Sequence, residues 1–433
     1  MSLELFGIVV GIVIIFFVMS SLVRQGITLV MQPQIAKGLA AASGTVSSPT
    51  NTIIADAKPK NWVSTWVASP QLTDQVLKFS DQTLRQIVHT SIEGDLVRVR
   101  LSNAFGVQPI TLGEVHIALR NKGSAIVPGS DRVLTFGGKP AITMPSGAII
   151  LSDPTRLHIH PMTDLAISIY LPYPTDATTI HSLALQDNYI SPRGNFAGIT
   201  IIHPVNTMQK WIFLTGVEVT ASKKVRAVIA LGDSITDGAN STPNGNYRWP
   251  NILADRLVTN VKKHLHMAVL DAGISGNRIL NDGVGPSALA RFDRDVLAQP
   301  SIAYLILLEG INDIRYPTPG IINPVGITTG LHQLIERAHE HGIRVFVGTL
   351  LPFEGSLYYT LQGEQERQQV NHWIRTSGAC DGVIDFDRIM RDPSHPTRLL
   401  PLYDSSDHLH PNDDGYKMMG KSIRLSLFSL HSN

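Results

Sequence analysis

Cysteine is almost absent from this 433-residue chain, Cys380 being the one thiol. That excludes an intrachain disulfide framework and any metal site built from several thiolates. Long blocks of lysine or arginine are missing as well, and the formal net charge is +1. Such a chain lacks the basic footprint of a nucleic-acid binder, so no nucleic-acid partner is expected. No internal repeat is visible, which sets aside repeat architectures. What remains is an ordinary globular composition. Its length calls for more than one domain, because one core rarely organises more than about 250–300 residues.

The longest apolar run is Leu5 to Val23. As a helix it would be about 28 Å long, close to the ~30 Å hydrocarbon core of a bilayer. Its all-round apolarity argues against a core helix. A cleaved signal peptide is the rival, but its apolar stretch is usually shorter and follows Lys or Arg, whereas here Glu4 precedes the run and Arg24 follows it. Residues 1–24 are therefore expected to form a transmembrane anchor in preference to a signal segment. The catalytic part is expected to lie outside the cytoplasm, although Arg24 and Lys37 favour the opposite orientation by the positive-inside rule. Residues 25–60, rich in Ala, Ser, Thr, Gly and Pro, read as a linker.

From Asn61 to Ser222 the signal is β. Val97 to Leu101 alternates apolar and basic residues, and Leu165 to Leu171 is a second strand candidate. Turn clusters such as Glu93-Gly94-Asp95 and Pro145-Ser146-Gly147 recur at short intervals. Short strands with frequent turns suggest a sandwich or jelly roll over residues 61–222. The pattern changes over residues 223–433. Short apolar runs at Val225–Leu231, Ala268–Leu270, Ile302–Leu308, Ile343–Leu351 and Val383–Phe386 read as strands buried on both faces. Helix-like segments, Trp249–Val261, Thr328–His341 and Gln362–Thr376, lie between them. The alternation predicts an α/β domain with a parallel sheet and helices on both faces.

Four blocks in this second region carry chemistry. Gly232-Asp233-Ser234 directly follows the first buried run, so Ser234 is predicted at the carboxyl end of a central strand, where ligand crevices form. A helix starting there can aim backbone N–H groups at an oxyanion. Gly273-Ile274-Ser275-Gly276-Asn277 follows the next run, and a glycine lets backbone N–H approach a reacting carbonyl. Gly310-Ile311-Asn312-Asp313 follows the third, and the Asn312 amide is a candidate oxyanion donor. The last block is Asp407-His408-Leu409-His410-Pro411, ahead of a closing helix. An aspartate three residues before a histidine in a tight turn can fix the imidazole tautomer. His408 adjoins Asp407 and would project elsewhere, so His410 is the better base. Gly-x-Ser-x-Gly occurs nowhere in the chain, which excludes a standard nucleophile elbow.

Taken in order, the blocks resemble those of the SGNH (GDSL-type) hydrolase superfamily. The resemblance runs from Val225 to the C-terminus and includes Tyr247-Arg248-Trp249-Pro250, Arg291-Phe292-Asp293-Arg294-Asp295 and Thr349-Leu350-Leu351-Pro352-Phe353. Thr65 to Pro70 and Arg98 to Asn103 resemble a β domain that precedes the hydrolase in one exported bacterial subgroup. The resemblance implies a flavodoxin-like α/β/α hydrolase domain behind an all-β sandwich. It implies Ser234 as nucleophile, His410 as base and Asp407 as its orienter. It also implies an oxyanion hole from the Ser234 and Gly276 N–H groups with the Asn312 side chain, and no metal or organic cofactor.

The expected activity is a serine esterase acting on short acyl esters, acetyl groups on carbohydrate among them. The alternatives are a lipase or thioesterase for longer acyl chains, and an inactive glycan-binding protein. Histidine pairs at His158/His160, His264/His266 and His339/His341 lack accompanying acidic or cysteine ligands at suitable spacing, so no zinc site is expected. Trp62 and Trp66 offer stacking surface for sugars, but core or domain-interface anchoring is the commoner role.

Overall fold

The structure is a computed structural model that describes residues 61–259, 267–316 and 324–428. Residues 59–433 form one compact unit. The Leu5–Val23 segment and the linker lie outside the described residues. Among the described residues no helix is long and apolar enough to cross a membrane.

Residues 61–222 fold as antiparallel β structure. One sheet orders Trp62–Val67, Leu214–Thr220, Gly94–Ser102 and Thr155–Ile159, with Ile149–Leu151 also on Gly94–Ser102. A second orders Asn206–Met208, Asn188–Arg193, Gln82–His89, Asp164–Leu171, Glu114–Leu119 and Arg132–Leu134. Strand periodicity explains the sandwich. Val97, Val99 and Leu101 from the first sheet share one core with Leu165, Ile167 and Ile169 from the second, as alternate residues on a strand must. The basic residues that alternate with the first set do not simply face water. Arg98 Nε and Arg100 Nη2 each donate at 2.6 Å to the carboxylate of Glu218, whose side chain is wholly buried. The Arg98 guanidinium also covers the Trp62 ring at 4.2 Å. Trp66 is buried edge-on against Trp211, which makes it a core anchor and no sugar platform.

The remaining residues build a five-stranded parallel sheet. Its order is Met267–Gly273, Arg226–Gly232, Ile302–Leu308, Arg344–Gly348 and Gly382–Ile384. In chain order that is 2-1-3-4-5, the flavodoxin-like arrangement, with its switch point between the first and third strands. The strands are apolar because helices cover both faces. Trp249–Thr259 packs on Asp413–Ser422, and Pro324–Glu340 packs on Leu361–Thr376. The final strand is shorter than its apolar run suggests. Asp385 accepts the Arg388 N–H and caps a helix over Phe386–Met390, so Phe386 belongs to that helix.

The sandwich and the parallel sheet meet along Trp62–Val67, which packs against Met267–Gly273. That contact covers the edge strand of the sheet, and Ser91 Oγ accepts the Val269 N–H at 3.3 Å. An edge left open would be a template for pairing with another chain.

Candidate active site

Parallel register gathers the blocks. Gly232 lies level with Gly273 on one side and Leu308 on the other, so the three segments that follow these strands emerge at one point on the sheet rim. The first turns at once into a helix, Ser234–Asp237, capped by Asp233, whose side chain accepts the Ile235 N–H at 2.9 Å. Ser234 is its first residue and only 3 % exposed. The second segment passes close beneath that helix. A Cβ on Gly273 would collide with the Asp237 backbone. Gly276 then adopts φ +81°, a left-handed conformation that suits glycine and turns the loop sharply. The third delivers Asn312, buried on a helix over Ile311–Arg315.

The last block closes the site from the C-terminal side. His410 Nε2 lies 2.8 Å from Ser234 Oγ, and His410 Nδ1 lies 2.6 Å from Asp407 Oδ2. Asp407 also accepts the backbone N–H groups of Leu409 and His410 at 3.0 and 2.8 Å, and the Asn240 amide at 2.9 Å. Partial burial opposes its ionisation, but the hydrogen bonds and charge of His410 outweigh that and hold the carboxyl well below the usual range. His408 turns the other way, at φ +61°, and pairs with Asp404 at 2.6 Å.

Three donors on the segments that follow these strands are candidates for an oxyanion. The Ser234 and Gly276 backbone N–H groups have no acceptor among the described residues. Asn312 Nδ2 gives one hydrogen to the Asn277 carbonyl at 2.9 Å, leaving its second free. Arg315 Nη1 donates to Asn312 Oδ1 at 3.0 Å, which fixes the direction of the amide.

Beneath these groups lies a buried acidic cluster. Burial pushes Asp233 up to about 6. It pushes Asp313, which accepts the Ile279 and Leu280 N–H groups, up to about 6 as well. Glu309 rises well above the normal carboxylate range through burial and the neighbouring Asp233 charge. Arg291 offsets part of this charge and binds the segments together. It donates to the carbonyls of Gly232 and Ala272 at 3.0 and 2.7 Å, to Asn277 Oδ1 at 2.9 Å and to Ser69 Oγ at 3.1 Å.

This architecture coincides with a family match. Residues 230–418 match the GDSL-like Lipase/Acylhydrolase family. This part of the chain is a GDSL-type (SGNH) hydrolase domain. The hydrolase domain thus belongs among ester-hydrolysing enzymes. Two similar solved structures are a GDSL-like lipase from Bacteroides thetaiotaomicron and an acetylxylan esterase from Geobacillus stearothermophilus. The lipase is 23 % identical, covering 47 % of this chain and 87 % of its own, with a TM-score of 0.36. The esterase is 20 % identical, covering 47 % of this chain and 95 % of its own, with a TM-score of 0.36. No curated protein matches the chain.

Ser234, Asp407, His410, Gly276 and Asn312 are thus all brought to the rim of the GDSL-type domain. The histidine pairs are not. His158 and His160 pack edge to face on the sandwich, with Asp95 2.7 Å from His158. His339 pairs with Asp381, and His264/His266 lie outside the described residues. Among the described residues no group of three or more His, Cys, Asp or Glu is placed to hold a metal ion. Sequence reasoning named Arg291 within the resemblance without giving it a role, and passed over His181. The signal for the first was an Arg-Phe-Asp-Arg-Asp run between apolar segments. The second had no local signal.

Proposed function

We propose that this chain is a serine esterase with Ser234 as nucleophile, His410 as general base and acid, and Asp407 as the residue that orients it. One observation carries the reading: the unbroken relay from Asp407 through His410 to Ser234 Oγ, with hydrogen bonds of 2.6 and 2.8 Å. Ser234 Oγ attacks the ester carbonyl carbon while His410 Nε2 takes its proton. The carbonyl oxygen becomes an oxyanion facing the Ser234 and Gly276 N–H groups and the free hydrogen of Asn312 Nδ2. On collapse, His410 passes the proton to the leaving alkoxide, and the acyl group stays on Ser234. Water, deprotonated by His410, then attacks the acyl carbon. The acid is released and the proton returns to Ser234 Oγ.

The finer reading is a preference for short acyl esters, acetylated carbohydrate included. It follows the family resemblance and is supported by the near-complete burial of Ser234, which favours a small acyl group. A second reading, longer acyl chains, is favoured by apolar surface beyond Asn312. Tyr316 and Tyr358 lie 4.8 Å apart with Leu357 and Leu361 exposed nearby in sequence, and the Arg315 guanidinium touches both rings. A p-nitrophenyl ester series separates the two: kcat/KM should be highest at acetate and fall with chain length, and a maximum at octanoate or beyond would select the second.

The test of the mechanism itself is covalent. A fluorophosphonate should label the protein at Ser234, and Ser234→Ala should lower turnover by about 10⁴-fold or more with the fold intact. Labelling at another serine would overturn the assignment.

A further inference from the structure

One carboxylate joins the nucleophile helix to the loop that bears Gly276, and the sandwich domain grips that carboxylate. Asp237 is the last residue of the nucleophile helix. Its Oδ2 accepts the Ser275 N–H at 2.9 Å, and its Oδ1 lies 3.0 Å from His181 Nε2. His181 ends the sandwich strand Thr175–His181, and its Nδ1 lies 2.9 Å from the Ser69 carbonyl oxygen. A carbonyl oxygen can only accept, so Nδ1 carries a hydrogen, and Nε2 must donate to the carboxylate. The ring is therefore an imidazolium with both hydrogens used. Its side chain and that of Asp237 are 4 % and 2 % exposed, so water scarcely screens the pair. Burial disfavours the charge on His181, but Asp237 and the Ser69 carbonyl more than compensate, and its pKa is raised.

Arg248 flanks the same carboxylate from the hydrolase side, with its Nη2 3.7 Å from Asp237 Oδ1. Its Nε donates to the Asp237 carbonyl at 2.6 Å, and its Nη2 donates to Leu183 and Ala184 carbonyls of the sandwich at 2.8 and 3.0 Å. The Trp211 ring lies against His181 at 5.3 Å. Asp237 is thus held by two cations and spends its other oxygen on Ser275, whose carbonyl belongs to the peptide unit that carries the Gly276 N–H.

We propose that His181 is a positioning residue for catalysis: through Asp237 the β-sandwich sets the Ser275–Gly276 peptide, and so the Gly276 N–H, where the oxyanion forms. The inference rests on the esterase reading above. It makes the sandwich domain part of the catalytic apparatus without contact with substrate. An oxyanion donor acts only when it sits within hydrogen-bond range of the developing charge, and a small displacement of such a group is costly in rate.

The experiment is a double-mutant cycle on the full chain with an acetyl ester. His181→Phe keeps a ring against Trp211 and removes both hydrogen bonds. Its kcat should fall on the order of 10–100-fold, with KM changed less than about threefold, as expected when a transition-state contact is disturbed. In an Asp237→Asn background the same substitution should cost less than about threefold, because the link is already broken. Should His181→Phe fail to fold, His181→Gln replaces it in the cycle, keeping a donor toward Asp237, and its loss should be smaller than that of Asp237→Asn. Folded variants with unchanged kcat, a loss confined to KM, or equal losses in both backgrounds would overturn the proposal. A wild-type chain that neither turns over ester nor takes the fluorophosphonate would instead remove the esterase reading, and this inference with it. Labelling at Ser234 with unaffected His181 variants removes the inference alone.

Discussion

Asn312 divides its amide between structure and chemistry. One hydrogen holds the Asn277 carbonyl, and the other is left for an oxyanion. Asn312→Ala is expected to lower kcat by roughly 10²–10³-fold with a smaller change in KM, because the free hydrogen acts chiefly in the transition state. Steady-state kinetics on a p-nitrophenyl ester decide this, and an effect on KM alone would make Asn312 a substrate-binding residue. The two neighbouring histidines should separate just as clearly. His410→Ala should nearly abolish turnover, while His408→Ala, which breaks only the pair with Asp404, should leave most of it. The opposite pattern would reverse their roles. Asp271 offers a pH test of stability. It accepts the Gly273 N–H at 2.9 Å, and burial raises its folded pKa to about 7, against about 3.9 in an unfolded chain. The folded state thus holds the extra proton between those values. Its contribution is fully present below about pH 4 and is lost as pH rises through about 7. Asp271→Asn keeps the acceptor without the charge. Its Tm should match wild type near pH 4 and exceed it at pH 8, and a Tm difference that does not vary with pH would refute the argument.

Two loops show how short elements hold these residues. The Asp404–Pro411 turn contains two left-handed residues, Ser406 and His408, at φ +78° and +61°. Asp404 Oδ1 stabilises it by accepting the Ser406 and His408 N–H groups at 2.9 and 3.0 Å. That geometry sends alternate histidines to opposite sides. The Gly273–Asn277 loop depends on Gly276, where φ is +81° and an added Cβ would press on Val284 at 3.0 Å. Gly276→Ala should therefore cost about 1–2 kcal/mol of stability and lower kcat more than the change in folded fraction explains. Thermal unfolding and kinetics on the same preparation test this. Loss of stability with unchanged kcat would show that the Gly276 N–H contributes nothing to the oxyanion.

At the scale of the whole molecule, the sandwich covers the Met267–Gly273 edge of the parallel sheet. Residues 223–433 expressed alone should expose that edge and the apolar side chains beneath it, and should aggregate. Residues 59–433 should be monodisperse in light scattering and active. A soluble, fully active 223–433 fragment would contradict this. We further propose that Leu5–Val23 anchors the protein in a membrane with the hydrolase outside the cytoplasm. Protease added to intact spheroplasts should then digest the catalytic part. A chain protected until lysis would reverse the orientation, and a shortened soluble form would favour a cleaved signal.

Sequence alone determined what depends on local periodicity and local spacing. Buried parallel strands are apolar runs because both faces are covered, so Ile302–Leu308 could be read to the residue. The Asp407–His410 spacing lies within one turn, so their pairing was legible too. What the tertiary structure decided are contacts between residues with no periodic relation. Phe386 looked like strand until the Asp385 cap assigned it to a helix. The alternation of Arg98 and Arg100 with apolar residues marked a strand, but not that Glu218, far along the chain, pairs with both. His181 sits in the sandwich, held by the Ser69 carbonyl, yet it reaches Asp237 beside the nucleophile. Hydrogen bonds and ion pairs act over a few ångströms in space, and only the packing of one domain on the other brings such residues within that reach.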